Sequence, residues 1–314
     1  MKDVICRSRL VWMGVLTAAL GTVPLWGSDY LVLFFFLFCL YLTVAQMWNL
    51  LAGYSGLISL GQQVFLGIGG YSVAVMGNYY GLNVLLSILA GGFFSVLLAL
   101  FMSLFIFRMK GVYFSIGTWI FAEILMIWFS NWSFVKYGTG LFIKTNPPLS
   151  TNETFYIAFV LGVGSVALVY FIMRSRLGLG LMAMRDNEDV SETMGVQVFR
   201  YKLYCFLIAA FITGMAAGVF YIFQVFVQPY KAFSIDWTVK LVFIVIIGGI
   251  GTIEGPIVGA LILVFLSQVL ADYFSVSLLI LGAIAIAVIL LAPKGIMGTL
   301  QAKLGFEILS PRRK

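Results

Sequence analysis

The sequence is almost continuously apolar, and only one long stretch of it carries many charges. That stretch runs from Arg174 to Lys202. The apolar segments on either side, Phe155 to Met173 and Leu203 to Phe226, are each long enough to cross about 30 Å of hydrocarbon as a helix. We therefore interpret the charged stretch as a loop that lies in water between two membrane spans.

The composition excludes an ordinary soluble domain. Hydrophobic residues make up 62% of the 314 residues and charged residues 10%, whereas soluble domains have about 45–50% and about 25%. The chain has no histidine and its three cysteines are scattered, so neither a metal site nor a redox centre is expected. The sequence predicts an all-α polytopic helical bundle in a membrane, with no cofactor bound by this chain.

Hydropathy predicts about ten transmembrane spans in a single domain that covers residues 1–314. We expect the spans at residues 9–27, 31–52, 57–78, 82–107, 112–132, 155–173, 203–226, 238–252, 256–272 and 276–292. The first span is interpreted as a retained helix rather than a removed signal peptide, because no convincing cleavage site follows it.

The distribution of lysine and arginine predicts the orientation. With the N-terminus inside, fifteen of the 19 basic residues fall in inner loops and tails, and four lie outside: Lys136, Lys144, Lys231 and Lys240. Both termini and the 174–202 loop are therefore expected in the cytoplasm. The same bias accounts for the net charge of +7, so no nucleic-acid partner is expected.

The inner loop contains a segment with the character of a surface helix. Leu179 to Met194 has no proline and ends before Gly195, which suits a left-handed position after a helix. We predict one short amphipathic helix here. It could rest on lipid headgroups or dock on a protein partner, and the acidic residues from Asp186 to Glu192 suit a protein better than an anionic lipid surface.

Two glycine-rich blocks interrupt the apolar sequence, at residues 53–70 and 248–259. Glycine at this density is typical of helices that pack closely or of helices broken beside a cavity. The neighbouring amides of Gln62 and Gln63 favour a polar path, since an amide in hydrocarbon must find partners. The similarity of the two blocks leaves open whether the two halves of the chain form a parallel internal repeat.

Glu123 is the one acidic residue that lies deep in a predicted span, and Ser115 and Thr118 lie one to two turns before it. A carboxylate at the centre of a span costs about 2.5 kcal/mol or more. Glu123 is therefore either a structural anchor or a residue that contacts an amino group in transit. The candidate pathway set is Ser55, Gln62, Gln63, Ser115, Thr118 and Glu123.

Four blocks of the sequence, in order, resemble bacterial ABC-transporter permeases for branched-chain amino acids, the second permease of that system. They are Asn49 to Tyr71, Gly111 to Leu125, Ile247 to Ala260 and Ala292 to Gly298, and the loop with Arg185-Asp186-Asn187-Glu188 and Met194-Gly195 is similar as well. The resemblance implies that this loop is a coupling helix seated on a separate ATPase subunit. Its candidate coupling residues are Met184, Arg185, Asn187, Glu188, Met194 and Gly195.

The chain has no GxxxxGK[ST] sequence, so ATP would be used by a partner subunit and not by this chain. The resemblance implies a sister permease, two ATP-binding subunits, a periplasmic solute-binding protein and a location in the bacterial inner membrane. Branched-chain amino acids are the expected solutes, with urea, short amides or other amino acids as alternatives. An ion-coupled secondary transporter is disfavoured, because it would need more ionisable groups inside the membrane than this sequence offers. An intramembrane enzyme is disfavoured because no catalytic cluster can be drawn from the sequence.

Overall fold

The computed structural model describes residues 17–270, 274–292 and 294–304. Residues 17–21 are helical (α1) and are followed by a short helix, α2. The first half of the bundle comprises α2 (Val23–Trp26), α3 (Asp29–Asn49), which continues into a π-helical turn (Leu50–Tyr54), α4 (Gln63–Tyr80), α5 (Val84–Ile106), α6 (Val112–Asn131) and α7 (Thr151–Arg174).

The second half begins with the charged loop. Its helices are α8 (Arg176–Asp186), α9 (Glu188–Thr193), α10 (Val198–Gln224), α11 (Pro229–Ala232), α12 (Asp236–Gly248), α13 (Gly255–Val269), α14 (Phe274–Leu291) and α15 (Gly295–Leu304). Two very short strands, β1 (Leu141–Phe142) and β2 (Phe226–Val227), pair antiparallel and tie the α6–α7 connection to the end of α10.

Helix α10 lies at the centre of the bundle, where it packs against α3, α4, α5 and α7. Small residues allow the backbones to touch: a Cβ on Gly214 of α10 would lie 2.7 Å from the carbonyl oxygen of Gly91 on α5. Close approach of this kind is how membrane helices gain packing energy without a hydrophobic driving force. Gly69 of the first glycine block packs in the same way, because an added Cβ would strike the carbonyl oxygen of Gly214.

Among the described residues, five helices are long and apolar enough to cross a membrane: α3 with its π-turn, α5, α6, α7 and α10. This agrees with the predicted all-α membrane bundle. The number of spans stays a prediction, and the expected cytoplasmic ends fall mainly on residues 1–16 and 305–314, outside the described residues.

Two predicted spans differ from the helices found. The span expected at 57–78 begins only at Gln63, because residues 55–62 leave the helix and Gly56 takes a left-handed conformation with φ +76°. The span expected at 238–252 is α12, which has only 13 residues and is about 20 Å long. Both glycine blocks thus interrupt helices within the bundle.

The prediction of one helix from Leu179 to Met194 was wrong. The segment forms two helices, α8 and α9, separated at Asn187, whose backbone is extended with φ −160° and ψ 111°. The Asn187 side chain accepts a hydrogen bond from the amide of Val190 at 3.1 Å. Asparagine caps the second helix in this way, and capping competes with a continuous helix. The expected stripe of side chains spaced four residues apart is therefore interrupted.

Candidate functional site

The first break, residues 55–62, is held by side chains from two helices. The indole of Trp48 on α3 donates to the carbonyl of Ser59 at 2.8 Å. On α6, the hydroxyl of Ser115 donates to the carbonyl of Ile58 at 2.6 Å, and the hydroxyl oxygen of Thr118 accepts from the amide of Leu60 at 3.1 Å. Non-helical backbone at membrane depth is tolerated only when such partners satisfy it. Ser115 and Thr118 therefore clamp the break.

The second break lies between α12 and α13, at residues 249–254, and α3 holds it. The Asn49 side chain accepts from the amide of Gly251 at 2.9 Å and donates to the carbonyl of Thr252 at 2.8 Å. The amide of Gln46 donates to the carbonyl of Ile253 at 2.7 Å. Three consecutive residues of the break thus find partners on one face of α3.

The two breaks touch each other. A Cβ added to Gly53, in the π-helical turn before the first break, would lie 2.6 Å from the amide nitrogen of Gly251 in the second. Gly251 has φ +73°, a conformation that suits glycine. The glycine blocks of the two halves, about 200 residues apart in sequence, therefore form one site inside the bundle.

Gln62 and Gln63 follow the first break, and both are fully buried. The amide of Gln62 donates to the hydroxyl of Thr213 on α10 at 2.8 Å, and the hydroxyl of Thr238 on α12 donates to the carbonyl oxygen of Gln63. In the described part of the chain, Oε1 of Gln62 and Nε2 of Gln63 have no hydrogen-bond partner. Each glutamine side chain therefore has one polar atom bonded to a threonine of α10 or α12, and one polar atom without a partner in the described residues.

Ser55, another candidate pathway residue, is also buried, and its hydroxyl donates to the carbonyl of Leu51 at 2.7 Å. This bond turns back on the preceding helical turn. Ser55 therefore helps to end the π-helical turn, and the role of Ser55, Gln62 and Gln63 in a pathway stays a prediction.

Glu123 lies away from both breaks, on the half-exposed side of α6. Its carboxylate accepts from the indole of Trp119, one turn earlier, at 3.0 Å. The same side of the helix exposes Ile116, Ile120 and Ile124. Glu123 is the twelfth of the 20 residues of α6, so it lies near the middle of a helix about 30 Å long. Its carboxylate thus lies outside the core of this chain.

A groove of about 480 Å³ runs along the start of this side of α6. Tyr113, Ile116 and Ile120 line its wall, and Arg108 and Lys110 line its end at the α5–α6 turn. The groove combines aliphatic surface with positive charge. It could accommodate a small solute that has an apolar side chain and an anionic group.

The candidate coupling residues are divided between the surface and the core. Met194 is 80% exposed, whereas Met184 is buried and anchors α8. Glu188 pairs with the buried ammonium of Lys202 on α10 at 2.6 Å. This carboxylate therefore ties α9 to α10, and the role of Glu188 in coupling stays a prediction.

Three further loop residues have distinct places. Arg185 points inward and donates through Nη1 to the carbonyl of Gly53 at 2.8 Å. Asn187 caps α9, and Gly195 follows α9 with φ +86°, the left-handed conformation expected for it. Asp186, Asp189 and Glu192 are exposed and give the loop a negative outer surface.

Lys110, at the α5–α6 turn, pairs with Asp189 of α9 at 2.9 Å. The hydrogen bond raises the pKa of Lys110 and lowers the pKa of Asp189. Both side chains are well exposed, so water and salt screen the pair. The contact brings the negative surface of the loop next to the groove on α6.

The model of the family described as "Branched-chain amino acid transport system / permease component" matches residues 30–292. The chain belongs to this permease family.

Three permeases from other organisms are similar to the chain over half or more of its length. The high-affinity branched-chain amino acid transport system permease protein LivM of Salmonella typhimurium is 27% identical over 82% of this chain and 68% of the relative, and LivM of Escherichia coli is 26% identical over the same shares. A probable branched-chain amino acid transport permease protein LivH of Methanocaldococcus jannaschii is 26% identical over 54% of this chain and 52% of the relative. No solved structure matches the chain.

Sequence reasoning missed several residues of the permease site. Gln46, Asn49, Thr213 and Thr238 hold the breaks and the glutamines, but each lies in an apolar helix at a distance in sequence from its partner. These residues could have been noticed as isolated polar side chains within predicted spans, because a polar side chain in hydrocarbon must find a partner. The partner itself depends on how the helices pack.

Proposed function

We propose that this permease is the membrane subunit of an ATP-driven importer of branched-chain amino acids, in the bacterial inner membrane. The match to the permease family over residues 30–292 carries the proposal, and the two LivM relatives are named for the same solutes. About ten spans with both termini in the cytoplasm follow from hydropathy and from the distribution of basic residues.

The outward side of α6 would meet the sister permease. A carboxylate that faced lipid at the depth of Glu123 would cost about 2.5 kcal/mol or more. Its own chain provides the indole of Trp119, but leaves the exposed row of isoleucines beside it uncovered. A second permease subunit would cover this side of the helix and leave a polar path between the two subunits.

A branched-chain amino acid has three features that this side of α6 can match. Its aliphatic side chain suits Ile116 and Ile120, and at successive positions along the helix its ammonium would meet Glu123 and its carboxylate would meet Arg108 at the cytoplasmic end of the groove. Weak, separate contacts of this kind favour passage over retention. We therefore assign the outward side of α6 to the solute path.

The cytoplasmic loop would dock on one of two ATP-binding subunits. Met194 at the end of α9 offers an exposed apolar contact, and Asp186, Asp189 and Glu192 offer negative charge around it. A periplasmic binding protein would deliver the solute to the opposite surface. ATP would be bound by the partner subunits, and no cofactor by this chain.

The function is tested by reconstituting the permease with the sister permease, the ATPases and the binding protein from its own gene neighbourhood in liposomes. We expect ATP-dependent uptake of labelled leucine that excess valine or isoleucine inhibits and excess urea leaves unchanged. Uptake of urea without uptake of leucine would contradict the assigned solute, and uptake without ATP would contradict the importer.

The orientation is tested with a cysteine at position 194 in a chain whose Cys6 is replaced by serine. Met194 is exposed, whereas the natural Cys39 and Cys205 are buried. We expect Met194→Cys to resist an impermeant thiol reagent in intact cells and to react in inverted vesicles. Labelling of intact cells would place the loop outside and overturn the proposed topology.

A further inference from the structure

Arg185 is the residue through which the cytoplasmic loop reaches the helix breaks. It lies in the last turn of α8, and its side chain is 40% exposed. Its Nη1 donates to the carbonyl of Gly53 at 2.8 Å, across 132 residues of sequence. The guanidinium thus lies partly in the loop and partly in the bundle.

Arg185 lies next to both breaks, through its guanidinium at Gly251 and through its backbone at Gly56. A Cβ on Gly251 in the second break would lie 3.3 Å from Nη1 of Arg185, and a Cβ on Gly56 in the first break would lie 3.4 Å from the Cα of Arg185. Both glycines have positive φ, so the backbone there is shaped for this close approach. Arg185 fits between the two halves of the bundle where they touch.

Beyond Arg185, the breaks are connected to the candidate path. The first break is clamped by Ser115 and Thr118 of α6, the helix that carries Glu123. The second break is fixed to α3 through Asn49. A displacement of α8 that moved Arg185 would therefore bear on both breaks and, through the first of them, on α6.

We propose that Arg185 is a positioning residue that transmits movement of the α8–α9 loop to the two helix breaks, and that this contact couples ATP hydrolysis to opening of the path. The inference rests on the proposed function, because it takes the loop as the ATPase contact. The proposal assigns to the Arg185 side chain the transmission of movement from the ATPase-contacting loop to the helix breaks.

Arg185→Gln removes the charge and shortens the side chain, whereas Arg185→Lys keeps a cationic donor that can still reach Gly53. Arg176→Gln, in the first turn of the same helix and exposed, is the matched control. A hydrogen bond from a charged group contributes about tenfold or more to an equilibrium. We expect Arg185→Gln to reduce leucine transported per ATP hydrolysed by about tenfold, with Arg185→Lys intermediate and Arg176→Gln unchanged.

Hydrogen exchange of the complete importer, with and without ATP, separates coupling from simple stability. In the wild type, exchange should change in the loop and in residues 50–62 and 249–255. In Arg185→Gln the nucleotide-dependent change should persist in the loop and disappear at the breaks. An equal response of the breaks in Arg185→Gln would overturn the inference alone, since the loop would still respond.

A wild-type importer whose loop exchange is unaffected by ATP would instead overturn the docking of the loop, and the inference with it. If Arg185→Gln does not assemble, Arg185→Lys provides the test. Its transport per ATP should then fall between the wild type and an importer with no coupling, and full coupling with unchanged exchange at the breaks would contradict a positioning role.

Discussion

The helix breaks and the outward side of α6 both hold polar groups within predicted membrane spans, but the hydrogen-bond partners of these groups differ. At the breaks, the backbone groups are bonded by side chains of the same chain, such as Asn49 and Thr118. On α6, Glu123 accepts from Trp119 of its own helix and lies beside uncovered isoleucines. Polar groups paired within the chain thus serve the fold, and a polar group turned outward is available to a partner or a solute.

The largest effect is expected where the core around the breaks is most tightly packed. Gly259 of α13 lies against Ile244 of α12, and an added Cβ would strike the Ile244 carbonyl oxygen. Gly259→Leu should therefore destabilise the fold by about 3 kcal/mol or more and reduce the amount of folded protein. Fluorescence-detected size exclusion in detergent measures that amount.

Gly164→Leu on α7 is the matched control, because no atom lies within 4 Å of the position of its Cβ. Its folded amount should equal that of the wild type. Equal losses of folded protein in the two variants would mean that the close contact of α12 and α13 beside the break does not stabilise the fold, which would contradict the prediction.

A smaller loss of stability is expected for Asn49→Ala. The variant would leave the amide of Gly251 and the carbonyl of Thr252 without their partner, and because both residues are only partly buried, each unpaired group should cost about 1 kcal/mol. Thermal unfolding of the purified permease should show the loss. Asn131→Ala, which removes an exposed hydrogen bond at the end of α6, should leave the unfolding temperature nearly unchanged.

The opposite pattern is expected on the outward side of α6. Glu123→Gln keeps the size of the side chain and its acceptor for Trp119, so the unfolding temperature should stay close to that of the wild type. Uptake should fall by about tenfold, since a charged contact with the solute ammonium is lost. Uptake of labelled leucine, normalised to folded protein, makes the measurement.

Two further variants sharpen this test. If Glu123 were a structural anchor, Glu123→Ala would lower the folded amount while Glu123→Gln transported normally. Gln62→Leu should alter uptake if the glutamines line the path, and should change only stability if the bond to Thr213 is its whole role.

The smallest effect is expected at the exposed pair between Lys110 and Asp189. The pair lowers the pKa of Asp189, so its contribution is present above the usual carboxyl range and is lost only as the pH falls through that lowered pKa. Lys110→Ala and the wild type should therefore unfold at nearly the same temperature from about pH 5 to about pH 9. A clear difference in that range would contradict the screening expected for exposed charges.

The class of fold could be predicted from the sequence because hydrophobic length decides whether a helix can span a membrane, and α5, α6 and α7 match their predicted spans within a few residues. The break before Gln63 and the short α12 could not be predicted in the same way. Their glycine-rich sequence left close packing and a broken helix both open, and the helix ends there because side chains of α3 and α6 replace the backbone partners.

The candidate site was predicted in part. Glu123 was singled out as the one carboxylate deep in a predicted span, and its role stays a prediction because its outward direction depends on how α6 packs. In the loop, Asn187 was expected inside a helix and instead caps one, which is a known preference of asparagine that the hydrophobic pattern concealed. Arg185 was predicted only as a coupling residue of the loop, and its bond to Gly53 depends on the approach of two distant segments.

The support that α3 gives to the second break has a consequence for how the chain is made. Asn49 leaves the ribosome 203 residues before its partner Thr252, so α12 and α13 enter the membrane after α3 is already there. Until Asn49 and Gln46 reach them, the amide of Gly251 and the carbonyls of Thr252 and Ile253 lack these partners. Insertion of the last helices is therefore completed by a docking step onto the first half, and a chain that ended after α10 would present the unfilled surface of α3 to the quality-control machinery of the membrane.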